Sequence, residues 1–237
     1  KLGGSHAYAV RSRHVYLKWD NERWGFLAGK TWDNYMAFLP DTLNFGYYYF
    51  QGQLGFRRMQ AWGTRRWDLG GDRQLDLTLG LGEPLGGVAG GDLDSNGVDD
   101  GTDSEFPVLT AKARWRFPGL AGRQVLLSVS GFYLEEEVLD EDYTGHAVML
   151  WAEVPLSSSL TFKGTVWTGQ NLDSARGGIG QGINMDQQES VRGDGGWAQL
   201  RFQFSPKYWF NLGYSIDDPR DGDLGEGQRT HNETLLA

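Results

Sequence analysis

Apolar and polar residues alternate with a period of two through much of the chain. Between residues 108 and 117, Leu109, Ala111, Ala113, Trp115 and Phe117 share one side, while Lys112, Arg114 and Arg116 share the other. The next segment sets Val125, Leu127, Val129, Gly131 and Tyr133 against Gln124, Ser128 and Ser130. Residues 159–168 oppose Leu160, Phe162, Gly164 and Val166 to Thr161, Lys163, Thr165 and Trp167. Residues 197–204 oppose Ala198, Leu200, Phe202 and Phe204 to Gln199, Arg201 and Gln203, and the following segment carries Tyr208, Phe210, Leu212, Tyr214 and Ile216 on its apolar side. This period predicts β-strands with two chemically distinct faces. Segment 7–19 departs from it, because Arg11 and Arg13 share parity with Val15, Leu17 and Trp19, so a bulge or a rim is expected there.

The joints between these strands also alternate. Short ones are expected at Asp20-Asn21-Glu22, at 68–72, at 117–122, at 155–158 and at Ser205-Pro206-Lys207. Long, glycine-rich and acidic ones occupy roughly 33–52, 83–104, 135–143, 170–193 and 217–230. Tight turns on one side and long loops on the other predict an all-β transmembrane antiparallel β-barrel, with the short turns periplasmic and the long loops outside. About ten strands and a partial eleventh are legible, and an open set would leave unpaired edges in lipid. The chain is therefore expected to be an internal part of one larger barrel domain. A soluble β-sandwich also alternates, but it does not ordinarily carry arginine and lysine in mid-strand or keep its long loops on one side.

Composition sharpens this picture. The chain has 237 residues and a mean hydropathy of -0.49, and no apolar run approaches the roughly 20 residues that a spanning helix needs. A barrel wall evades that test, because only every second residue meets lipid. Ten tryptophans suit membrane interfaces, and the absence of cysteine excludes disulfides. A formal net charge of -9 argues against nucleic acid as a partner. Nor is enzymatic chemistry visible. His6, His14, His146 and His231 have no serine, cysteine or histidine partner at a recognisable spacing, and the glycine-rich stretch 177–182 lacks the lysine of a phosphate loop.

The first long loop, 33–52, is richer in aromatic and apolar residues than a solvated outer loop should be, so it is expected to fold inward and narrow the lumen. The strand and loop Gly25-Phe26-Leu27-Ala28-Gly29-Lys30-Thr31-Trp32 and Leu39-Pro40-Asp41-Thr42-Leu43-Asn44-Phe45-Gly46 resemble the wall and inward constriction loop of general trimeric porins. Gly55-Phe56-Arg57-Arg58-Met59-Gln60, Gly169-Gln170-Asn171-Leu172 and Gly177-Gly178-Ile179-Gly180-Gln181-Gly182 are similar to motifs of a DcaP-like group of porins. The resemblance implies a homotrimer in the bacterial outer membrane, among lipid and lipopolysaccharide, with about sixteen strands per subunit. It also implies that Lys30 and Arg58 stand on the pore wall facing loop acids, with Asp33 and Asp41 as candidates. Strand parity adds Arg66, Lys112, Arg114, Arg116, Lys163 and Arg201 to Arg58 as inward cations. A cationic ladder facing a carboxylate-bearing loop sets a transverse field across a waist, so the expected solutes are small, hydrophilic, and anionic or zwitterionic.

Within the second long loop, 83–104, Asp92-Leu93-Asp94-Ser95-Asn96-Gly97-Val98-Asp99-Asp100-Gly101-Thr102-Asp103 matches a calcium loop of the D-x-D-x-N-G type. Asp92, Asp94 and Asn96 offer side-chain oxygens, Gly97 makes the turn, Val98 offers its carbonyl, and Asp100 and Asp103 close the shell. The expected role of calcium is structural, in an external loop. The acidic runs 135–142 and 217–223 lack ligand spacing and read as solvated loops. A diffusion channel is the function expected, against an outer-membrane barrel serving as an adhesin, a scaffold or a surface hydrolase.

Overall fold

The computed structural model describes residues 12–42, 45–84 and 92–236. Eleven strands form one antiparallel sheet in which every neighbour in sequence is a neighbour in space, apart from one small excursion. They are β1 (Val15–Asp20), β2 (Trp24–Trp32), β3 (Arg57–Gly70), β4 (Arg73–Gly82), β5 (Val108–Pro118), β6 (Gln124–Val138), β7 (Glu141–Pro155), β8 (Leu160–Gln170), β11 (Arg192–Gln203), β12 (Trp209–Pro219) and β13 (Asn232–Leu236). The excursion is a hairpin of β9 (Ile183–Asn184) and β10 (Glu189–Ser190), inserted between β8 and β11. One turn of helix, α1 (Asp100–Asp103), lies between β4 and β5. Among the described residues the sheet does not close, and β1 and β13 are its two edges.

Each short joint expected from the sequence is a tight connection at one end of the sheet. The long loop expected at 135–143 is not a loop. β6 pairs with β7 up to Val138↔Glu141, and Leu139 and Asp140 alone make the turn, both left-handed at φ 55° and 61°, as a two-residue hairpin requires. Its run of glutamates has low strand propensity and reads as solvated, yet Leu134, Glu136 and Val138 point to a buried face. Asp217 and Asp223, in the other acidic run, are buried too. In the ambiguous first segment, residues 7–11 lie outside the described residues and the strand starts at Val15, where Val15, Leu17 and Trp19 share an exposed face.

Register separates the two faces throughout. Directly paired residues share a face, and the row Leu77↔Ala113↔Val129↔Leu150↔Val166 is apolar and largely exposed, with Val129 at 50% and Val166 at 60%. Rings gather at the short-turn end of this outer face: Trp19 packs on Phe26 and Trp115 on Phe117 at 5.6 and 4.4 Å between centroids, and Arg65 lies over Trp24 at 4.6 Å. An apolar band with an aromatic edge is the surface a barrel turns to lipid.

The opposite face holds the core. Tyr35, Met36, Tyr48 and Leu54, from the segment between β2 and β3, are buried against Phe132, Met149, Trp151, Trp167 and Trp197 of the wall. This packing also reveals curvature. Asp33 bonds to Arg58 on β3, whereas the Asp41 carbonyl accepts from Asn211 on β12, seven strands further along. Across a flat sheet that span is about 34 Å, at roughly 4.8 Å per strand. The eight residues from Asp33 to Asp41 reach at most about 29 Å when fully extended. The sheet therefore curls around the segment, which lies across its inner face as a chord.

Placing arginine on the outer band at Val129 is expected to destabilise the protein, once reconstituted in a bilayer, by about 2–4 kcal/mol. The same substitution at Leu69, at the short-turn rim, is expected to cost about 1 kcal/mol or less. Equilibrium unfolding by urea in phospholipid vesicles measures the difference.

Candidate functional site: an inward loop and a charged waist

The loop between β2 and β3 is pinched at its base. Asp33 N–H donates to the Phe56 carbonyl at 2.8 Å, and Phe56 N–H donates back to Asp33 Oδ2 at 2.8 Å. Both carboxylate oxygens of Asp33 accept from the Arg58 guanidinium, and the Tyr35 hydroxyl donates to Oδ2 at 2.7 Å. Arg58 and Asp33 side chains are each 1% exposed. Burying the pair strips both charges of water, and the fork-to-carboxylate geometry with two further donors offsets that cost. Gln60 completes the base, accepting from Asn34 N–H and donating to the carbonyls of Thr31 and Trp32.

From this base the loop runs along the inner wall. Phe38 meets Trp151 and Trp197 edge-on at 5.4 and 5.9 Å, Tyr35 packs on Phe132, and Trp197 Nε1 and Trp167 Nε1 donate to Gln53 Oε1 and the Gly52 carbonyl. Gly52 needs its lack of a side chain, since its φ is +106° and a methyl group there would overlap the backbone of Gly196.

Beside the loop's tip lies a cluster of charges. Asp41 receives Lys163 Nζ at 2.9 Å and Arg201 at 3.4 Å, its N–H donates to Gln199 Oε1, and its carbonyl accepts from Asn211. Lys163 also stands 3.6 Å from Glu153. Further round the wall, Arg114 and Arg116 converge on Asp76 at 2.6 and 3.0 Å, and Lys112 donates to the Met36 carbonyl at 2.9 Å. The side chains of Arg114, Arg116 and Arg201 keep about a third of their surface open, so this row borders open space on the inner side.

Most of the inward residues expected from the sequence share this face. Arg58 is there but sealed beneath the loop, so it anchors the loop and is not open to the lumen. Arg66 sits apart at the short-turn end, 2.5 Å from Asp20. Lys30 is the exception. It pairs with Met59 and Val15, both exposed on the outer face, whereas its neighbour Thr31 pairs with Arg58. Strand parity places Lys30 outside, and the expectation carried over by resemblance does not hold for this chain. Asp76 was missed, although its alternation with Gln74 and Thr78 along β4 marks the same polar face.

At the long-loop end, Asp92, Asp94 and Asp100 bring a carboxylate oxygen each within 4.8 Å of one another. Gly97 is left-handed at φ +94°, and Asn96 and Gly97 N–H both donate to Asp92. Asn96 Nδ2 donates to Asp103 at 2.8 Å, so Asp103 lies beside the same turn. The Asp100 carboxyl is pushed up to about 6 by burial and by the charges of Asp94, Asp92 and Asp173, against the pull of the Leu93 N–H. Residues 85–91 of the expected second loop lie outside the described residues.

No protein-family model and no curated protein sequence matches the chain. A structural likeness does exist, to the crystal structure of the outer membrane channel DcaP of Acinetobacter baumannii, with a TM-score of 0.59 at 17% sequence identity. It covers 84% of this chain and 54% of that one, so the chain spans about half the length of that channel. The fold is thus an antiparallel β-barrel wall similar to that of this channel.

Removing one partner of the buried pair, as in Asp33→Asn or Arg58→Met, is expected to cost about 3–5 kcal/mol. The double substitution is expected to cost less than the sum of the two. Urea unfolding of the four-member cycle measures this, and limited proteolysis reads the release of residues 33–56.

Proposed function

We propose that this chain forms the wall of a water-filled channel in the bacterial outer membrane, through which small hydrophilic solutes diffuse, anionic or zwitterionic ones most readily. One observation carries the reading: a loop crosses the inner face and sets Asp41 against Lys163 and Arg201 of the opposite wall. A constriction with fixed charges on both sides orients dipolar solutes and discriminates among ions. Along the inner face five cations, Lys112, Arg114, Arg116, Lys163 and Arg201, accompany three carboxylates, in two groups, one around Asp41 and Glu153 and one around Asp76. The surplus of positive charge favours anions. The likeness to an outer membrane channel supports the same class of function, and the apolar outer band suits a membrane. By the porin resemblance we take the assembly to be a homotrimer, with lipid and lipopolysaccharide as its surroundings.

In planar bilayers with a salt gradient, the reversal potential is expected to show anion preference. Lys163→Glu with Arg201→Glu is expected to shift permeability toward cations by several-fold, and Asp41→Asn to strengthen the preference for anions. Cation preference in the unaltered protein would overturn the charge reading, and the absence of sustained single-channel current would favour a scaffold or adhesin instead.

The 92–103 loop is proposed to hold calcium as a structural ion, through Asp92, Asp94, Asn96, the Val98 carbonyl, Asp100 and Asp103. The convergence of three carboxylates on a turn made by Gly97 supports it. Chelation with EDTA is expected to lower amide protection across 92–104, and Asp94→Asn to mimic that loss. Calorimetry without heat at millimolar calcium would remove the proposal.

A further inference from the structure

Beyond the 92–103 loop, a second set of oxygens is buried at the same end of the wall, and no residue of the calcium motif belongs to it. Glu136 lies on β6 three residues before the tight turn, and Asn171 and Asp173 follow β8 directly. All three side chains are buried, at 1%, 0% and 6% exposure. Asn171 Nδ2 donates to Glu136 Oε2 at 3.0 Å, which turns Asn171 Oδ1 the other way. That oxygen meets no donor. It converges instead with Asp173 Oδ1, which accepts from Ser174 N–H at 2.7 Å, and both oxygens pack over Gly182, where a methyl group would overlap them.

Acceptors that converge in a buried space need something positive between them. An amide oxygen with no donor normally forfeits about the worth of a hydrogen bond, and two carboxylates that feel each other's charge add repulsion. A neutral amide and carboxylates within one pocket are the ligands that hard divalent cations take. We propose that Glu136, through Oε1, which also meets no donor, together with Asn171 Oδ1 and Asp173, holds a divalent cation of the calcium type, which ties the β6–β7 hairpin to the segment between β8 and β9. Backbone carbonyls and water complete its shell. The cation answers Asn171 Oδ1 and spares both carboxylates their repulsion.

The test uses the full-length protein in detergent, stripped with EDTA and titrated with calcium chloride, with calorimetry for stoichiometry and hydrogen–deuterium exchange for location. Calcium is expected to raise protection of residues 171–183 in the unaltered protein. Asp94→Asn is expected to keep that response, which separates this site from the 92–103 loop. Glu136→Gln and Gly182→Ala are expected to remove one binding event, or to weaken it at least tenfold, and to abolish the protection. Unchanged protection of 171–183 in the unaltered protein overturns the proposal, whatever the variants do. So does a Glu136→Gln protein that binds calcium as before and melts at a higher temperature, because that result assigns a shared proton to Glu136 and Asp173.

Discussion

The inner architecture hangs on one buried ion pair. Asp33 is the first residue after β2 and Arg58 the second residue of β3, so their bond closes the loop at its root while Tyr35 and the Phe56 N–H fill the remaining acceptor positions of the carboxylate. A desolvated pair of this kind is a poor source of net stability but a strong source of specificity, since any other direction for the loop leaves a buried charge uncompensated. With its root held, the loop cannot swing out to solvent. Its aromatic side chains are committed to the wall, and Asp41 is delivered to Lys163 and Arg201. The charges at the waist are therefore positioned by a pair that is itself shielded from the lumen.

The wall obeys a second constraint, the strand's period of two. On the outer side it yields the apolar row through Val129 and Val166; on the inner side the same strands supply aromatic residues to the core and charged residues one or two rows nearer the short turns. Trp151, Trp167 and Trp197 sit above Glu153, Lys163, Gln199 and Arg201 on the same faces of β7, β8 and β11. A shelf of rings thus carries the loop, and a polar row borders the space beneath it. Three tryptophans facing inward would be a liability in an open channel. Covered by Phe38, Tyr48 and Gln53, they become the seat of the loop.

Much of this was legible in the sequence, because alternation and tight turns are local properties. The faces of β5, β6, β8, β11 and β12 follow from parity alone, and the apolar richness of 33–52 announces that the segment packs. Lys30 shows the limit of resemblance: parity along β2, with Thr31 buried and Lys30 paired to Met59, is the stronger guide. The hairpin at Leu139–Asp140 shows the limit of composition. Three consecutive glutamates look solvated, and only tertiary packing of the segment 171–184 over β6 and β7 makes Glu136 a buried residue. The partners of Asp41 were equally out of reach, since contacts separated by 122 to 170 positions leave no local trace.

The long-loop end then poses its own electrostatic problem. Asp92, Asp94, Asp100, Glu136 and Asp173 come from three segments distant in sequence, and burial together with the charges of Asp94, Asp92 and Asp173 raises the Asp100 carboxyl; Asp173 is itself pushed up to about 6 by burial. Proteins rarely bury several carboxylates together without a counter-charge. The bonds that join these segments, Leu139 N–H to Asp94 and Asn171 to Glu136, each use an acidic residue as the acceptor, so the same groups that repel are those that fasten the loops to one another. Cations at this end would convert that repulsion into cross-links. The outer loops would then be rigid where the inner loop is rigid, one by bound ions and the other by the Asp33–Arg58 pair, with the polar row left between them.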